Sequence, residues 1–243
     1  MQKKYSSIVV LTGAGISAES GIKTFRANDG LWEGHKIEDV ATPEAFQRDS
    51  FLVHQFYNTR RRQLISGIEP NKAHKALAEF EVTHRNRREN NKKPFTLITQ
   101  NVDHLHEQAG SDPVIHMHGE LLKMRCVMSG EVFECHTDIQ PDTVCACCHL
   151  SHTLRPHIVW FGEMPLLMSE IEDALSKCDL FVSIGTSGNV YPAASFFQMA
   201  KFAGADTVEL NLEPSTNSRE FDKSINGPAT EIVPVFFQSL LMP

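Results

Sequence analysis

No apolar run in this sequence approaches the roughly 20 residues that a membrane-spanning helix needs. Positive charge is scarce: 23 Lys and Arg stand against 30 Asp and Glu, a formal net charge of −7. That balance does not suit a chain that follows a phosphate backbone, and no direct nucleic-acid binding is expected. A secretory leader is not expected either. Lys3 and Lys4 precede an apolar stretch, but Ile8 to Leu11 is too short for a leader core and breaks into glycine. The expected setting is therefore cytoplasmic and reducing, where the six cysteines are not expected to pair as disulfides. Five of the six fall between Cys126 and Cys148, a clustering that reads as metal binding. Internal repeats and low-complexity tracts are absent, and the basic run Arg85 to Lys93 reads as a solvated loop. What is left, 243 residues with 41% apolar and 22% charged side chains, is the composition of a soluble globular chain with a real core. That length fits one large domain, or one domain carrying a small insertion.

The chain is organised around Leu11 to Arg26. Ile8-Val9-Val10-Leu11 is apolar and largely β-branched, and reads as a buried strand. Gly13 and Gly15 follow, with small Ala18 three residues on, the G-x-G-x-x-[GA] pattern of a strand turning into a helix. The first glycine permits a tight turn, the second lets a phosphate approach the backbone, and the small third residue lets helix and strand pack closely. The helix N-terminus would then offer N–H groups and a positive dipole end to a pyrophosphate. Glycine-rich turns also follow strands for structural reasons, so the pattern needs support from elsewhere.

Thr24 to Trp32 is a polar loop carrying Phe25 and Trp32, placed either to cover a ligand on that turn or to anchor itself to the core. A helix is predicted from about Phe51 to Ser66, with Val53, Tyr57, Arg60 and Leu64 on one face. A guanidinium on an otherwise apolar stripe needs an anionic partner, internal or bound. Arginine grips a carboxylate through two parallel bonds and a tyrosine hydroxyl can add a third, so Tyr57 and Arg60 mark a candidate carboxylate pocket. Arg61 and Arg62 are expected to face solvent. A second buried strand, Phe95 to Thr99, ends in Gln100-Asn101-Val102-Asp103. Open α/β sheets bind ligands at the C-terminal ends of their strands, which makes Gln100, Asn101 and Asp103 site candidates. His116 and His118 lie two apart on what reads as one short strand, hence on one face, with Gly119 opening space beside them. Either is a candidate general base, and spacing does not choose between them.

Cys126-Val127-Met128-Ser129 and, fifteen residues later, Cys145-Ala146-Cys147-Cys148 approximate the zinc-ribbon spacing. Serine is a poor zinc ligand. Cys126, Cys145 and Cys148 are the expected ligands of a structural site, with Cys135, His136 or Cys147 as candidates for a fourth. Strands are predicted over Pro156 to Phe161, Leu180 to Ile184 and Thr207 to Leu210, and helices over Asn71 to about Thr83, Ser169 to Lys177, Ala193 to Ala203 and about Val233 to Leu241. This alternation implies a parallel sheet with right-handed crossovers. Gly185-Thr186-Ser187-Gly188 and Asn211-Leu212-Glu213 close two further strands, and together with the first turn they point to one nucleotide site on a shared sheet edge.

Taken together these motifs resemble the sirtuin family. The resemblance rests on Gly13-Ala14-Gly15-Ile16-Ser17, Ser20-Gly21-Ile22, Thr24-Phe25-Arg26, Gln100-Asn101-Val102-Asp103, Leu105-His106, Ala109-Gly110, His118-Gly119, Phe161-Gly162-Glu163, Gly185-Thr186-Ser187 and Asn211, and it covers nearly the whole chain. Gly30-Leu31-Trp32, Ala41-Thr42-Pro43-Glu44, His116-Met117-His118-Gly119 and Gly185-Thr186-Ser187-Gly188 extend it to the bacterial CobB-type deacylases. The resemblance implies an α/β fold: a Rossmann-like parallel sheet with helices on both faces, plus a small zinc-ribbon-like and helical insertion domain. The large part would comprise about 1–30, 70–120 and 155–243, and the small part about 31–69 and 121–154.

The implied activity is NAD-dependent removal of acyl groups from protein lysines, giving nicotinamide and O-acyl-ADP-ribose. In the family pattern His118 is the base, Asn101 orients the ribose and a water, and Asp103 bonds the nicotinamide amide. Ala14, Ile22, Phe25 and Val102 shape the nicotinamide pocket, and Gln100 and Arg26 hold ribose and phosphate. Ser187, Asn211 and Glu213 hold the adenosine end, with Gly13, Gly15, Ser17, Gly185, Thr186, Leu212 and Ala229 completing the cofactor site. The acyl-lysine backbone pairs with segments matching Val159 to Glu163, which include Phe161 and Gly162, and Gly188 to Tyr191, which include Asn189 and Val190. Tyr57 and Arg60 match the Tyr-x-x-Arg of class III sirtuins, which take acidic acyl chains, and Ala41 matches the small residue that widens that pocket. Acetyl, succinyl and malonyl groups are thus the implied leaving acyls. Lys23 in place of a common proline departs from the pattern, as does Ser129 in place of a zinc cysteine. Protein ADP-ribosyl transfer on the same fold, or a catalytically silent NAD-binding module, are the alternatives; intact His118, Asn101 and Asp103 favour deacylation.

Overall fold

The structure is a computed structural model that describes residues 5–23, 31–32, 34–86 and 95–242. Phe25 and Arg26 lie outside the described residues, as does most of the basic run after Arg85. In chain order, β1 (Ile8–Thr12) leads through the one-turn helix α1 (Ala14–Ser17) to a hairpin of β2 (Leu31–Trp32) and β3 (His35–Lys36). The helices α2 (Ile37–Val40), α3 (Pro43–Arg48), α4 (Ser50–Ile65) and α5 (Lys72–Asn86) follow. Next come β4 (Phe95–Thr99), α6 (Leu105–Ala109), β5 (Val114–His116), β6 (Gly119–Cys126), β7 (Val132–Glu134) and β8 (Leu154–Ile158). The chain closes with α7 (Met168–Lys177), β9 (Leu180–Ile184), α8 (Phe196–Phe202), β10 (Asp206–Asn211), β11 (Lys223–Asn226) and α9 (Ala229–Leu241).

Six strands form a parallel sheet in the order β11-β10-β9-β1-β4-β5. β1 is central, and its Val10 stands opposite Leu97 on one side and Val182 on the other. The strand is apolar on both faces because both are covered. Ile8 and Val10 pack with Leu77 and Phe80 of α5 and Val233 and Phe237 of α9. Val9 and Leu11 pack with Ile171 and Leu175 of α7 and Phe196 and Phe197 of α8. The chain runs outward from β1 through β4 to β5, then returns to build β9, β10 and β11 on the other side. The topological switch point, where open parallel sheets bind ligands, therefore lies between β1 and β9.

A separate antiparallel sheet, β7-β6-β8, takes up the strand expected over Pro156 to Phe161. That segment forms as Leu154–Ile158 and pairs with β6, outside the parallel sheet. A short apolar run looks the same in either setting; here Pro156, which has no N–H for a ladder, stands opposite Met124 at one end of the register shift between Gly119 and Met124. β11 is a polar edge strand without the apolar alternation that would have announced it. A third apolar cluster joins α2 to α4 with β6 and β8, and a fourth is confined to the cysteine-bearing segment. Among the described residues no helix is long and apolar enough to cross a membrane.

Candidate active site

The glycine turn after β1 meets the glycine turn after β9 at the switch point. Gly13 N–H donates to Ile184 O and Gly15 N–H to Gly185 O, each at 2.9 Å. A Cβ on Gly15 would lie 2.7 Å from Gly185 Cα, and one on Gly13 would lie 2.8 Å from Gly185 O. The glycines are thus required by the contact between two backbones. This corrects the expected helix N-terminus with unengaged N–H groups: α1 is a single turn continuing into a 3-10 turn, and the N–H groups of Gly13 and Gly15 are taken within the protein. Ala14, one residue into the turn, is half-buried.

Ser17, at the end of α1, is the hub of a buried polar network. Its hydroxyl donates to Asp103 Oδ2 at 3.0 Å and accepts from Asn101 Nδ2 at 3.1 Å. Asn101 Nδ2 also donates to Gly13 O at 3.2 Å, so the strand-end residue of β4 is tied to the turn after β1. Asp103 Oδ1 accepts from Leu105 N at 3.1 Å, and burial raises the Asp103 pKa. Beneath them Thr12 Oγ1 donates to Thr99 Oγ1 and accepts from His106 Nε2, both at 2.9 Å. His74 Nε2 lies 3.4 Å from Ser17 Oγ, and its ring meets that of His106 edge-on. Burial lowers both histidines, His74 to about 4, so both stand neutral. His74 was not singled out in the sequence; its spacing with Leu77 and Ala78 on the buried side of α5 was the available signal.

The two candidate bases separate. β5 ends at His116, while Met117 and His118 form the turn into β6, so the expected shared strand face does not exist. The turn is forced by Gly119, at φ +82°, where a Cβ would come within 2.0 Å of His157 O. His118 Nδ1 lies 3.1 Å from Gln100 O, a carbonyl, so Nδ1 carries the proton and Nε2 keeps a lone pair. Burial lowers the His118 pKa. His116 Nε2 instead lies 2.6 Å from Glu107 Oε1. Burial alone would lower His116, but the hydrogen bond and charge of Glu107 outweigh it and raise its pKa.

On the far side of the turn, Tyr57 and Ala41 are buried in one cluster with Val53, Phe56 and Trp160, and Ile22 and Val102 pack against it. The candidate acyl and nicotinamide positions are therefore contiguous. Tyr57 Oη accepts from Trp160 Nε1 at 3.0 Å, and burial raises its phenol. Arg60 donates from Nη1 to Phe56 O at 2.7 Å, with its guanidinium carbon 3.3 Å over the Phe56 ring centroid, and its charge bears on the Tyr57 phenol. Arg61, expected in solvent, is 1% exposed. Its Nε donates to Leu121 O at 3.0 Å, and its Nη1 donates to Asn58 Oδ1 at 2.7 Å and to Thr137 O at 3.2 Å. Helical spacing marks the second face of α4 as polar, but β6 and the segment after it cover that face and supply the acceptors. Arg62 is exposed as expected and pairs with Asp138.

The remaining expected contacts fall on two segments. Glu163 is an internal brace: Arg155 grips both carboxylate oxygens, at 2.7 and 2.9 Å, and Trp160 N–H adds a bond at 2.8 Å. The N–H groups of Val159, Phe161 and Glu163 go to His118 O, Ala41 O and Trp160 O. Gly162, at φ +89°, and Phe161 are exposed. After β9, Asn211 Nδ2 donates to Thr186 O at 2.7 Å, and Asn189 Oδ1 accepts from Thr216 Oγ1 at 2.8 Å. Ala194 N–H donates to Val190 O at 2.8 Å. Ser187, Leu212 and Glu213 are exposed at that edge, and Ala229 opens α9.

The cysteine segment brings a fourth sulfur to the three expected. The sulfurs of Cys126, Cys145, Cys147 and Cys148 all lie within 4.8 Å of one another. Cys147 completes the set, and Ser129 Oγ sits 3.1 Å from its sulfur as a hydrogen-bond partner. Cys135 is elsewhere, donating to Thr137 O at 3.3 Å, and His136 is exposed beside Glu134. The Ser129 backbone N–H leads the groups that lower the Cys126 thiol to about 6. Four sulfurs with a thiolate-prone member are compatible with structural zinc.

Comparison with known proteins agrees with this geometry. The NAD-dependent protein deacylase of Pasteurella multocida (strain Pm70) is 59% identical over 239 residues, covering 98% of this chain and 99% of that protein. The NAD-dependent protein deacylase of Escherichia coli (strain K12) is 58% identical over 235 residues, 96% of this chain and 82% of that one. A solved Sir2 homolog–NAD complex superposes with a TM-score of 0.86 at 37% identity, covering 98% of this chain and 90% of the other. A Sir2 homologue mutant in complex with ADP ribose superposes with a TM-score of 0.87, also at 37% identity, over 98% and 92% of the two chains. Residues 13–192 match the Sir2 family as a whole, and with these relatives that match shows that the chain belongs to the Sir2 family.

Proposed function

We propose that this protein is an NAD-dependent protein-lysine deacylase, acting on acetyl groups and, through Tyr57 and Arg60, on succinyl and malonyl groups. The observation that carries the reading is His118: a half-buried imidazole whose Nδ1 is committed to the carbonyl of Gln100, the residue before Asn101, leaving Nε2 as a base. Its lowered pKa keeps it neutral at pH 7. The names of the relatives support the same activity.

The switch-point crevice suits NAD by its donor set: a buried carboxylate, a fixed amide and a turn whose glycines close on another backbone. When bound, NAD supplies the ribose carbon that accepts the acyl oxygen as nicotinamide departs. Asn101 has committed its amide N–H groups to Gly13 O and Ser17, so its Oδ1 is the group left to meet a hydroxyl or water. Asp103, fixed through Ser17 and Leu105, accepts from the nicotinamide amide. Ala14, Ile22 and Val102 exclude water there; the family resemblance adds Phe25 and Arg26, which lie outside the described residues. Gln100, Gly185, Thr186, Ser187, Asn211, Leu212, Glu213 and Ala229 carry the ribose, phosphate and adenosine contacts. His118 Nε2 takes a proton from the ribose hydroxyls.

The acyl-lysine backbone lies between the segment 159–163 and the segment 188–191, entering between a large part (about 1–30, 70–120 and 155–243) and a small one (about 31–69 and 121–154). Cys126, Cys145, Cys147 and Cys148 would hold a structural zinc in the small part. We place the protein in the cytoplasm.

Mass spectrometry of paired acetyl- and succinyl-lysine peptides, with and without NAD, tests the reading on wild type and His118→Tyr. Acyl loss should require both NAD and His118, with O-acyl-ADP-ribose appearing. NAD consumed without acyl loss would replace deacylation by ADP-ribosyl transfer, and no change in either would leave a binding module.

A further inference from the structure

We propose that His116 is held as an imidazolium between Glu107 and the Asn101 carbonyl, and that this charged clamp positions the strand end carrying Gln100, Asn101 and Asp103; the positioning role rests on the deacylase reading above. His116 is 7% exposed and both of its ring nitrogens face acceptors. Nε2 lies 2.6 Å from Glu107 Oε1, and Nδ1 lies 3.3 Å from Asn101 O. A neutral imidazole has one N–H, so one of these oxygens would face a lone pair. Only the doubly protonated ring satisfies both. A carboxylate partner makes the pair a charge-assisted bond between α6 and the end of β5.

The clamp acts on the candidate site through consecutive carbonyls. Gln100 O takes His118 Nδ1 and Asn101 O takes His116 Nδ1, so two imidazoles grip adjacent peptide groups at the end of β4. These peptides carry the Asn101 side chain and set the orientation of the His118 ring. The other charged or titratable groups bearing on His116 are Glu120 on β6, and Asp103, His104 and His106 around α6; Glu107 and Glu120 favour the charged ring. Deprotonation would give up one of the two ring bonds, and the longer one is that to Asn101 O. The clamp is therefore complete below the raised His116 pKa and released as pH rises through it. His118 must be neutral, which its lowered pKa ensures down to more acidic pH. The two histidines bound an activity window from opposite sides.

The test reads ring protonation directly, by imidazole nitrogen NMR of ligand-free protein labelled with 15N-histidine, the His116 signals being identified by their loss in His116→Asn. Both nitrogens should be protonated at pH 7, and in Glu107→Gln the ring should lose a proton at lower pH than in wild type. One bare nitrogen at pH 7 in wild type overturns the proposal. For the positioning role, deacylation kcat/KM should fall on the alkaline side where the ring titrates, and this limb should move to lower pH in Glu107→Gln. His116→Ala should lower kcat/KM about tenfold, the loss of one charge-assisted hydrogen bond. His116→Asn, whose amide replaces the Nδ1–H donor but does not titrate, should restore most of that loss and abolish the alkaline limb. A limb that stays in place while the ring titration moves overturns the positioning role. Absence of NAD-dependent deacylation in wild type, with the ring doubly protonated, would overturn the deacylase reading and not the charged clamp.

Discussion

The sheet edge and the cysteine segment each gather several polar side chains within hydrogen-bond reach, but they are held together in opposite ways. At the sheet edge, Asn101 and Asp103 follow β4 and Ser17 closes the helical turn after β1, on strands locked in a parallel ladder with an apolar cluster on each face. Their hydrogen bonds close within the protein, so the arrangement is complete before any ligand arrives. In the cysteine segment the buried apolar cluster shrinks to Cys126, Cys135, Ile139, Cys145 and Leu154. Four sulfurs brought this close repel once ionised, and a divalent cation is what turns the cluster from a liability into a cross-link. One region is a site made by a fold; the other is a cluster that a bound metal would complete.

The largest expected effect strikes the chemistry and leaves the fold alone. His118→Ala should lower deacylation kcat/KM by about 10² to 10⁴, the usual worth of a general base. The melting temperature should stay near that of wild type; a large drop would mean that the sheet edge is not self-supporting. Next, Cys147→Ser should empty the metal site, read as zinc per chain by elemental analysis, and lower the melting temperature. Ser129→Ala should leave the zinc content unchanged, because Ser129 is a partner of Cys147 and not a ligand. Equal loss in both variants would erase the distinction drawn between them. Arg60→Met should lower desuccinylation about 10- to 100-fold, the loss of a charge-assisted pair, with deacetylation nearly unchanged. Equal losses on both substrates would make Arg60 structural. The smallest effect should be on stability: Gly15→Ala, with its Cβ 2.7 Å from Gly185 Cα, should cost about 1 to 3 kcal/mol in urea unfolding. Retained stability would show that the two strand-end turns can separate.

Much of the sheet was legible in advance. Phe95 to Thr99 and Leu180 to Ile184 form as expected, because buried parallel strands are short apolar runs bounded by glycine or polar residues. Gln100, Asn101 and Asp103 could be singled out because strand ends are where polar side chains have no place in a core. Other features depended on what lies across a gap in sequence. Arg61 looks solvated on its helix, yet three carbonyl or amide oxygens from residues 58, 121 and 137 enclose it. His118 looks like a strand residue, yet Gly119 bends the chain against His157. The fourth sulfur was ambiguous because several candidates lay within reach of the same spacing, and only the folded turn brings Cys147 to the others.

By itself the sequence determined the buried strands β1, β4 and β9, their polar ends and the family they belong to, since these follow from local periodicity and from motifs that keep their meaning without neighbours. Only the tertiary structure decided which acceptors His116 and His118 face, which arginine is buried, and which sulfurs lie close enough to share a metal. Each of those properties belongs to a pair of groups distant along the chain, and burial and proximity, which set their charge and protonation, come into being when the chain closes on itself.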